Sequence, residues 1–433
     1  MISQVFRFIG NLVLARLLTP DAFGLMAIVS TLMLGLNLLS DIGTGPTIIQ
    51  SPRGAERVFL DTAWTLQVLR GFCLWLFGLL IAFVIALGQA NLWFDVAATY
   101  ADARLPSLVA VATIGLAILG FTSINQRSAE RNLNFRLVVT VELAAQFVAL
   151  VLMVVAAALT RSVWALIIGG LCSALLRCVL SHVMLPGPRA SFKLERSAVQ
   201  ELLSKGKWVL MSSLVGFFAL SGDRLLLGGI VDAATLGLYS IAFALAGIAP
   251  TAFSAILGKV LLPAFSEVWR DLPTSLPRTY RKFQQITDAC VGLAAGLLFA
   301  SSEALVSILY DSRYTGAGVI LAYLAIGSIG MRAVVIEQLY FATGQPRLLG
   351  LAGVPRVITL AVGVPIGYSL GQLNGALVAI VLSQFVQWPL AIWYRRRLRL
   401  NDYRNDLVLP AAFAAGCALG WLAVHTLSAW NTP

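Results

Sequence analysis

Charge is scarce in this 433-residue chain: Asp, Glu, Lys and Arg together make up 12% of it, about half the share usual in soluble domains. Two or three soluble domains of this total length could not be given a solvated surface from so few charges. Histidine is almost missing, with only His182 and His425, too few for a histidine-based metal centre. The five cysteines, Cys73, Cys172, Cys178, Cys290 and Cys417, all lie inside apolar runs and none forms a CxxC. That pattern argues against disulfides and against a thiolate metal site. No small-residue cleavage site follows the first apolar run, so no removable signal peptide is expected. No loop is long enough to form a domain.

Apolar residues, in contrast, make up 59% of the chain, and mean hydropathy is +0.85. They fall in runs of about 20, enough to cross roughly 30 Å of hydrocarbon as helix. The expected class is therefore an all-α polytopic membrane protein. A β-barrel would need alternating segments of about ten residues, and stretches such as 148–159 do not alternate. Thirteen spans are expected, at 2–18, 24–49, 63–88, 107–125, 138–160, 162–184, 208–230, 236–257, 286–301, 317–338, 348–370, 374–394 and 408–430.

Formal net charge is +11, which could suggest nucleic acid, but the placement of the basic residues gives another reason. Alternate loops hold Arg53 and Arg57; Arg127, Arg131 and Arg136; 189–207; 259–282; Arg347 and Arg356; and 395–404, carrying 22 Lys and Arg against 4 in the opposite set, Arg16, Arg104, Arg161 and Arg313. Positive loops stay cytoplasmic. The surplus thus records topology, with a cytoplasmic N-terminus, and no nucleic-acid partner is expected. The two longest inner connections, 185–207 and 258–285, are expected to be amphipathic interfacial helices. In the first, Leu194, Val199, Leu202 and Leu203 make the apolar side against Arg196, Glu201 and Lys205.

An internal repeat runs through the chain. Residues 14–28, LARLLTPDAFGLMAI, lie over 227–241, LGGIVDAATLGLYSI, without gaps at an offset of 213. Six spans separate the copies, so both halves have the same orientation, related by a pseudo-two-fold axis along the membrane normal. The expected organisation is an N-terminal lobe at 1–184, a linker at 185–207, a C-terminal lobe at 208–394, and a basic loop with an additional helix at 395–433. Against the repeat, helix 1 starts several residues short, and thirteen is an odd count. Both suggest ends that are incomplete.

The segments Leu14–Leu25, Asp41-Ile-Gly43, Arg131–Arg136 (RNLNFR), Gly222–Gly228 (GDRLLLG) and Leu236-Gly-Leu-Tyr239 resemble, in order and spacing, the polysaccharide transporter family of oligosaccharide flippases. That family belongs to the multidrug/oligosaccharidyl-lipid/polysaccharide (MOP) superfamily. The resemblance implies two six-helix lobes in a V around a central cavity, rocking by alternating access. It implies transport of a polyprenyl-pyrophosphate-linked oligosaccharide from the inner to the outer leaflet of a bacterial inner membrane, for exopolysaccharide, capsule or lipopolysaccharide synthesis. Membrane lipids and polysaccharide assembly proteins are the further partners it implies. No cofactor or metal is expected, with a coupling proton or sodium ion left open.

A charge at the bilayer centre costs roughly 2.5–3.5 kcal/mol on insertion scales, so each one needs a reason. Arg7, Asp41, Arg177, Asp223, Arg224, Arg332 and Glu337 are the substrate-path candidates, with Arg70 and Glu142 nearer the cytoplasmic ends. Adjacent Asp223 and Arg224 cannot face one another on a helix and must each find another partner. Arg177 and Arg332 suit a pyrophosphate, since guanidinium presents a planar donor fork. Pairing of these arginines with Asp41 or Glu142 is the competing structural role. Pro250, Pro355, Pro365 and Pro389 lie within expected spans and can bend them. The small cationic excess favours an anionic substrate over the cationic drugs of a cation-coupled multidrug exporter. A membrane glycan polymerase or ligase would need an acid/base pair on a long outer loop, and the outer loops are short and lack histidine. The chain is expected to be a transporter and not an enzyme.

Overall fold

The computed structural model describes residues 2–40, 44–204, 206–345, 347–400 and 406–431. Among these residues all regular elements are helical. The first half comprises α1 (Ile2–Leu17), α2 (Pro20–Leu39), α3 (Thr44–Gln50), α4 (Arg57–Ala90), α5 (Leu105–Ala112), α6 (Ile114–Gly120), α7 (Asn125–Arg131), α8 (Phe135–Thr160), α9 (Trp164–Met184) and α10 (Arg196–Ser204). The second comprises α11 (Gly206–Gly228), α12 (Ala233–Ala246), α13 (Ile248–Asp271), α14 (Leu276–Leu309), α15 (Ala317–Ser328), α16 (Val334–Ala342), α17 (Arg347–Phe385), α18 (Trp388–Arg397) and α19 (Val408–Asn431).

Among the described residues nine helices are long and apolar enough to span a membrane, or ten if the α5–α6 run and α7, bent by 62°, count as one. The expected thirteen is not reproduced as a count, and the differences have physical causes. The expected span at 236–257 is broken at Gly247, leaving α12 at 14 residues; Pro250 removes the N–H that would close the next turn on Ala246. In contrast, α17 merges two expected spans. Gly371 and Gln372 leave helical geometry inside it, Gln372 at φ 50°. The two arms then approach so closely that a Cβ on Gly367 would lie 2.3 Å from the carbonyl oxygen of Gly375. Only glycine permits that crossing.

The chain forms two compact units: residues 1–217 with 228–236, and residues 218–227 with 237–433. In the first, part of the apolar side of α10 packs against protein. Ala198 and Leu202 are fully buried in a cluster with Phe59, Leu60 and Trp64 of α4, while Leu194 and Leu203 are exposed. Polar contacts fix the segment: Arg53 donates through Nη2 to both carboxylate oxygens of Glu195, Ser51 donates to Glu201, and Ser191 donates through its backbone N–H and hydroxyl to buried Asp61. The linker is thus part of the first unit's wall.

In the second unit, the expected interfacial helix at 258–285 is divided between α13 and α14. A cluster of Phe265, Tyr280, Ile336, Tyr340 and Tyr394 packs beneath them. Helix α19 lies against α14 through glycines: a Cβ on Gly296 would fall 2.1 Å from the Phe413 carbonyl oxygen, and one on Gly416 2.3 Å from that of Leu293. Small residues permit this backbone approach, the usual way helices associate within lipid.

Candidate functional site

Three polar constellations hold the intramembrane charges. The first is a hollow of about 400 Å³ in the N-terminal unit, lined by Asn37, Gln67, Arg70, Gln126, Arg127 and Arg177 among others, with no carboxylate among the described residues that line it. The break between α6 and α7 forms part of its wall. There Gln67 donates to the carbonyls of Gly120 and Thr122 at 2.9 and 3.0 Å, satisfying groups that the broken helix leaves open. Arg70 donates to the Ser40 hydroxyl and the Asn37 carbonyl, both at 2.9 Å. Arg127 pairs with Glu130 at 2.8 Å.

Arg177 also lines a larger hollow of about 1030 Å³, with Arg7, Asn11, Glu142 and Gln146. Its Nη2 donates to Glu142 at 2.9 Å, so the sequence-level alternative of a Glu142 partner is what the geometry contains. The Arg177 Nε is buried and has no acceptor among the described residues. Two of the sequence candidates, Arg7 and Arg177, therefore meet in one hollow. Asp41 lies outside the described residues.

The second constellation is a cavity of about 360 Å³ in the C-terminal unit, lined by Asp223, Tyr239, Glu337, Arg356, Gln384 and Gln387 among others. Asp223 is 6% exposed and accepts a hydrogen bond from the Tyr239 hydroxyl. Its neighbour Arg224 turns away and lies over the Phe243 ring at 4.0 Å, a cation–π contact. The adjacent charges do find separate partners. Arg356, counted with the loop charges from sequence, sits inside α17 and lines this cavity. Its position within the apolar run 348–370 was the available signal.

The third constellation surrounds Arg332, whose fork is occupied. Nε and Nη2 donate to the two oxygens of Asp288 at 3.0 and 2.8 Å, and Nη2 also reaches Asp406 at 2.9 Å. Arg395 joins Asp406 at 3.1 Å, while Gln284 donates to Asp288 at 2.7 Å and receives the Tyr280 hydroxyl at 3.0 Å. Two arginines balance two aspartates. Sequence reading missed Asp288, fully buried in α14.

This fold is that of polytopic transporters. The chain superposes at TM-score 0.68 on an inward-facing multidrug resistance MATE family transporter of the MOP superfamily, at 14% identity over 92% of this chain and 94% of that one. It matches the lipid II flippase MurJ, in an inward closed conformation, at the same TM-score and 10% identity, over 100% and 92% of the two chains. The chain belongs to the polysaccharide biosynthesis protein family, whose pattern matches residues 13–319. It is 22% identical to the lipopolysaccharide biosynthesis protein WzxC of Escherichia coli (strain K12), over 94% of this chain and 83% of that protein. It is 24% identical to the succinoglycan biosynthesis transport protein ExoT of Rhizobium meliloti (strain 1021), over 74% of this chain and 62% of that one.

Proposed function

We propose that this protein translocates a polyprenyl-pyrophosphate-linked oligosaccharide from the cytoplasmic to the outer leaflet of a bacterial inner membrane, with its N-terminus in the cytoplasm. The observation that carries the proposal is the hollow shared by Arg70, Arg127 and Arg177, with no carboxylate among the described residues that line it. A pyrophosphate entering hydrocarbon unaccompanied would bear the full cost of desolvating its charge. Guanidinium groups there supply charge-assisted, bidentate donors in its place. The transport and biosynthesis names of the relatives ExoT and WzxC support the same substrate class.

Arg177 is assigned to the head group. Arg7 is placed beside it along the path, and Asp223, Arg224 and Glu337 on the C-terminal side. Arg332 is assigned to holding α14, α18 and the segment leading into α19 together, because its Nε and Nη2 donors are taken by Asp288 and Asp406 and Asp406 is shared with Arg395. The exporter reading would use Asp223 and Glu337 as cation ligands, but Arg356 among them opposes a cationic guest. A chromosomal deletion in the host tests the proposal. Lipid-linked oligosaccharide should accumulate on the inner leaflet, and normal surface glycan with no accumulation would exclude the role.

A further inference from the structure

Three helix ends meet at one face of the C-terminal unit. Helix α13 stops at Asp271, α14 starts at Leu276 and α18 stops at Arg397. One buried cluster ties them together, with Phe265 from α13, Leu276 and Tyr280 from α14, and Tyr394 and Leu400 at the end of α18. The Arg395 guanidinium lies over the Tyr280 ring at 6.0 Å. Cations crowd the outside of this cluster. Arg278 and Lys282 are exposed on α14, and Arg396, Arg397 and Arg399 are exposed at the end of α18. None of these five has a carboxylate partner among the described residues. The neighbouring acids are engaged elsewhere: Asp271 pairs with Arg270 at 2.8 Å, and Asp406 with Arg332 and Arg395. Glu267 adds one exposed carboxylate, and Asp402 lies outside the described residues.

The arginines of α18 stand on a fixed turn. The Arg399 N–H donates to the Arg396 carbonyl at 3.1 Å and the Leu400 N–H to that of Arg395 at 2.9 Å, with Arg399 at φ 54°. This closure ends many helices, usually with glycine at the left-handed position, and buried Leu400 anchors it. Beside the turn, Arg397 lies over the Trp393 ring at 5.6 Å, and Trp393 and Trp269 are both exposed. Indole rings settle at the boundary between hydrocarbon and head groups, which sets the arginines at the depth of lipid phosphates. Topology alone requires only that basic residues stay on one side of the membrane. It does not require them to be gathered, unpaired and fixed beside indole rings. Exposed rings at the same level favour lipid over an acidic soluble partner.

We infer that this end of the C-terminal unit is a docking surface for anionic phospholipid of the surrounding bilayer. Arg396, Arg397 and Arg399 hold the phosphate, and Arg278 and Lys282 extend the surface along α14. Guanidinium groups suit this task because they present paired donors to phosphate oxygens. The inference does not rest on the flippase reading, since the lipid it names belongs to the bilayer and is not carried across it.

Electron paramagnetic resonance of the full chain in phosphatidylcholine nanodiscs provides the test, with spin-labelled phosphatidylglycerol or phosphatidylcholine as the probe. A nanodisc has no inside, so insertion topology does not enter the readout. The parent should hold the anionic probe about fivefold or more tightly than the neutral one, and added salt should narrow the difference. Arg396→Gln, Arg397→Gln and Arg399→Gln together should remove most of the preference, while Lys at the same three positions should keep it. Arg278→Gln with Lys282→Gln should weaken it, and serves if the α18 variant does not fold. Arg136→Gln, Arg161→Gln and Arg189→Gln remove as much charge from the first unit and should leave the preference largely intact. The inference is overturned if the parent shows no preference, if folded glutamine variants of this surface keep it in full, or if the first-unit variant loses as much. Preference for polyprenyl phosphate with none for phosphatidylglycerol would assign the surface to the transported lipid and overturn it as well.

Discussion

Arg332 and Asp288, 44 residues apart in sequence, meet in a two-pronged ion pair at 3.0 and 2.8 Å, with the Asp288 side chain fully buried and that of Arg332 13% exposed. Such a pair matters most when it is half removed. Arg332→Ala strands Asp288 and should lower stability by about 3–5 kcal/mol. The double change Arg332→Met with Asp288→Leu should cost much less. Thermal melting of the purified variants in detergent checks both; equal losses would show that the pair's charges are not what matters.

Glu142 holds Arg177 at 2.9 Å in the hollow assigned to the head group. It therefore competes with any phosphate that arrives. Glu142→Gln should tighten pyrophosphate binding severalfold, Arg177→Ala should weaken it by about 1.5–3 kcal/mol, and Arg177→Lys should fall between. Calorimetric titration with inorganic pyrophosphate gives the order; unchanged affinity in Glu142→Gln would remove the competition.

The contact of α19 with α14 depends on absent side chains. Gly296→Val and Gly416→Val force a Cβ into carbonyl oxygens and should destabilise the protein by about 1–3 kcal/mol or more. Gly350, with no described residue within 4 Å of its Cβ position, should accept Ala with no such loss. Cysteine crosslinking between the two helices, compared with melting temperature, separates local displacement from general unfolding.

In the loop before α5, a hydrogen bond from Arg104 holds the Asp102 carboxyl below the usual carboxylate range, with burial opposing. The folded state thus binds this proton less readily than the unfolded one. The stabilisation is present above the ordinary value of about 3.9 and is lost as pH falls through the lowered one. Arg104 is 47% exposed, so solvent screening keeps the effect small. Acid melting curves should be flatter in Asp102→Asn; superimposable curves would show that the group does not contribute.

The helices were legible because hydrocarbon thickness imposes a length on every apolar run. Their breaks were partly so: Pro250 pointed to the interruption at Gly247, while the hairpin at Gly371–Gln372 needed the backbone to show it. The charges were legible as a set but not as partners. Arg332 gave no sign of Asp288, because contacts across helices leave no periodicity in sequence. Arg356 was read as topology because it lies near a loop, yet the helix carries it into a cavity. The amphipathic face of the linker was legible, but not its partner, since such a face fits protein as well as lipid, and Ala198 and Leu202 pack on α4.

Purified protein reconstituted into liposomes with a polyprenyl-pyrophosphate-linked oligosaccharide tests the central claim most directly, by following the fraction of glycan open to a membrane-impermeant oxidant. The account predicts exchange between leaflets with the parental chain, roughly tenfold slower exchange with Arg177→Ala, and partial recovery with Arg177→Lys. Exchange no faster than in protein-free liposomes, or parental rates in a folded Arg177→Ala, would contradict it.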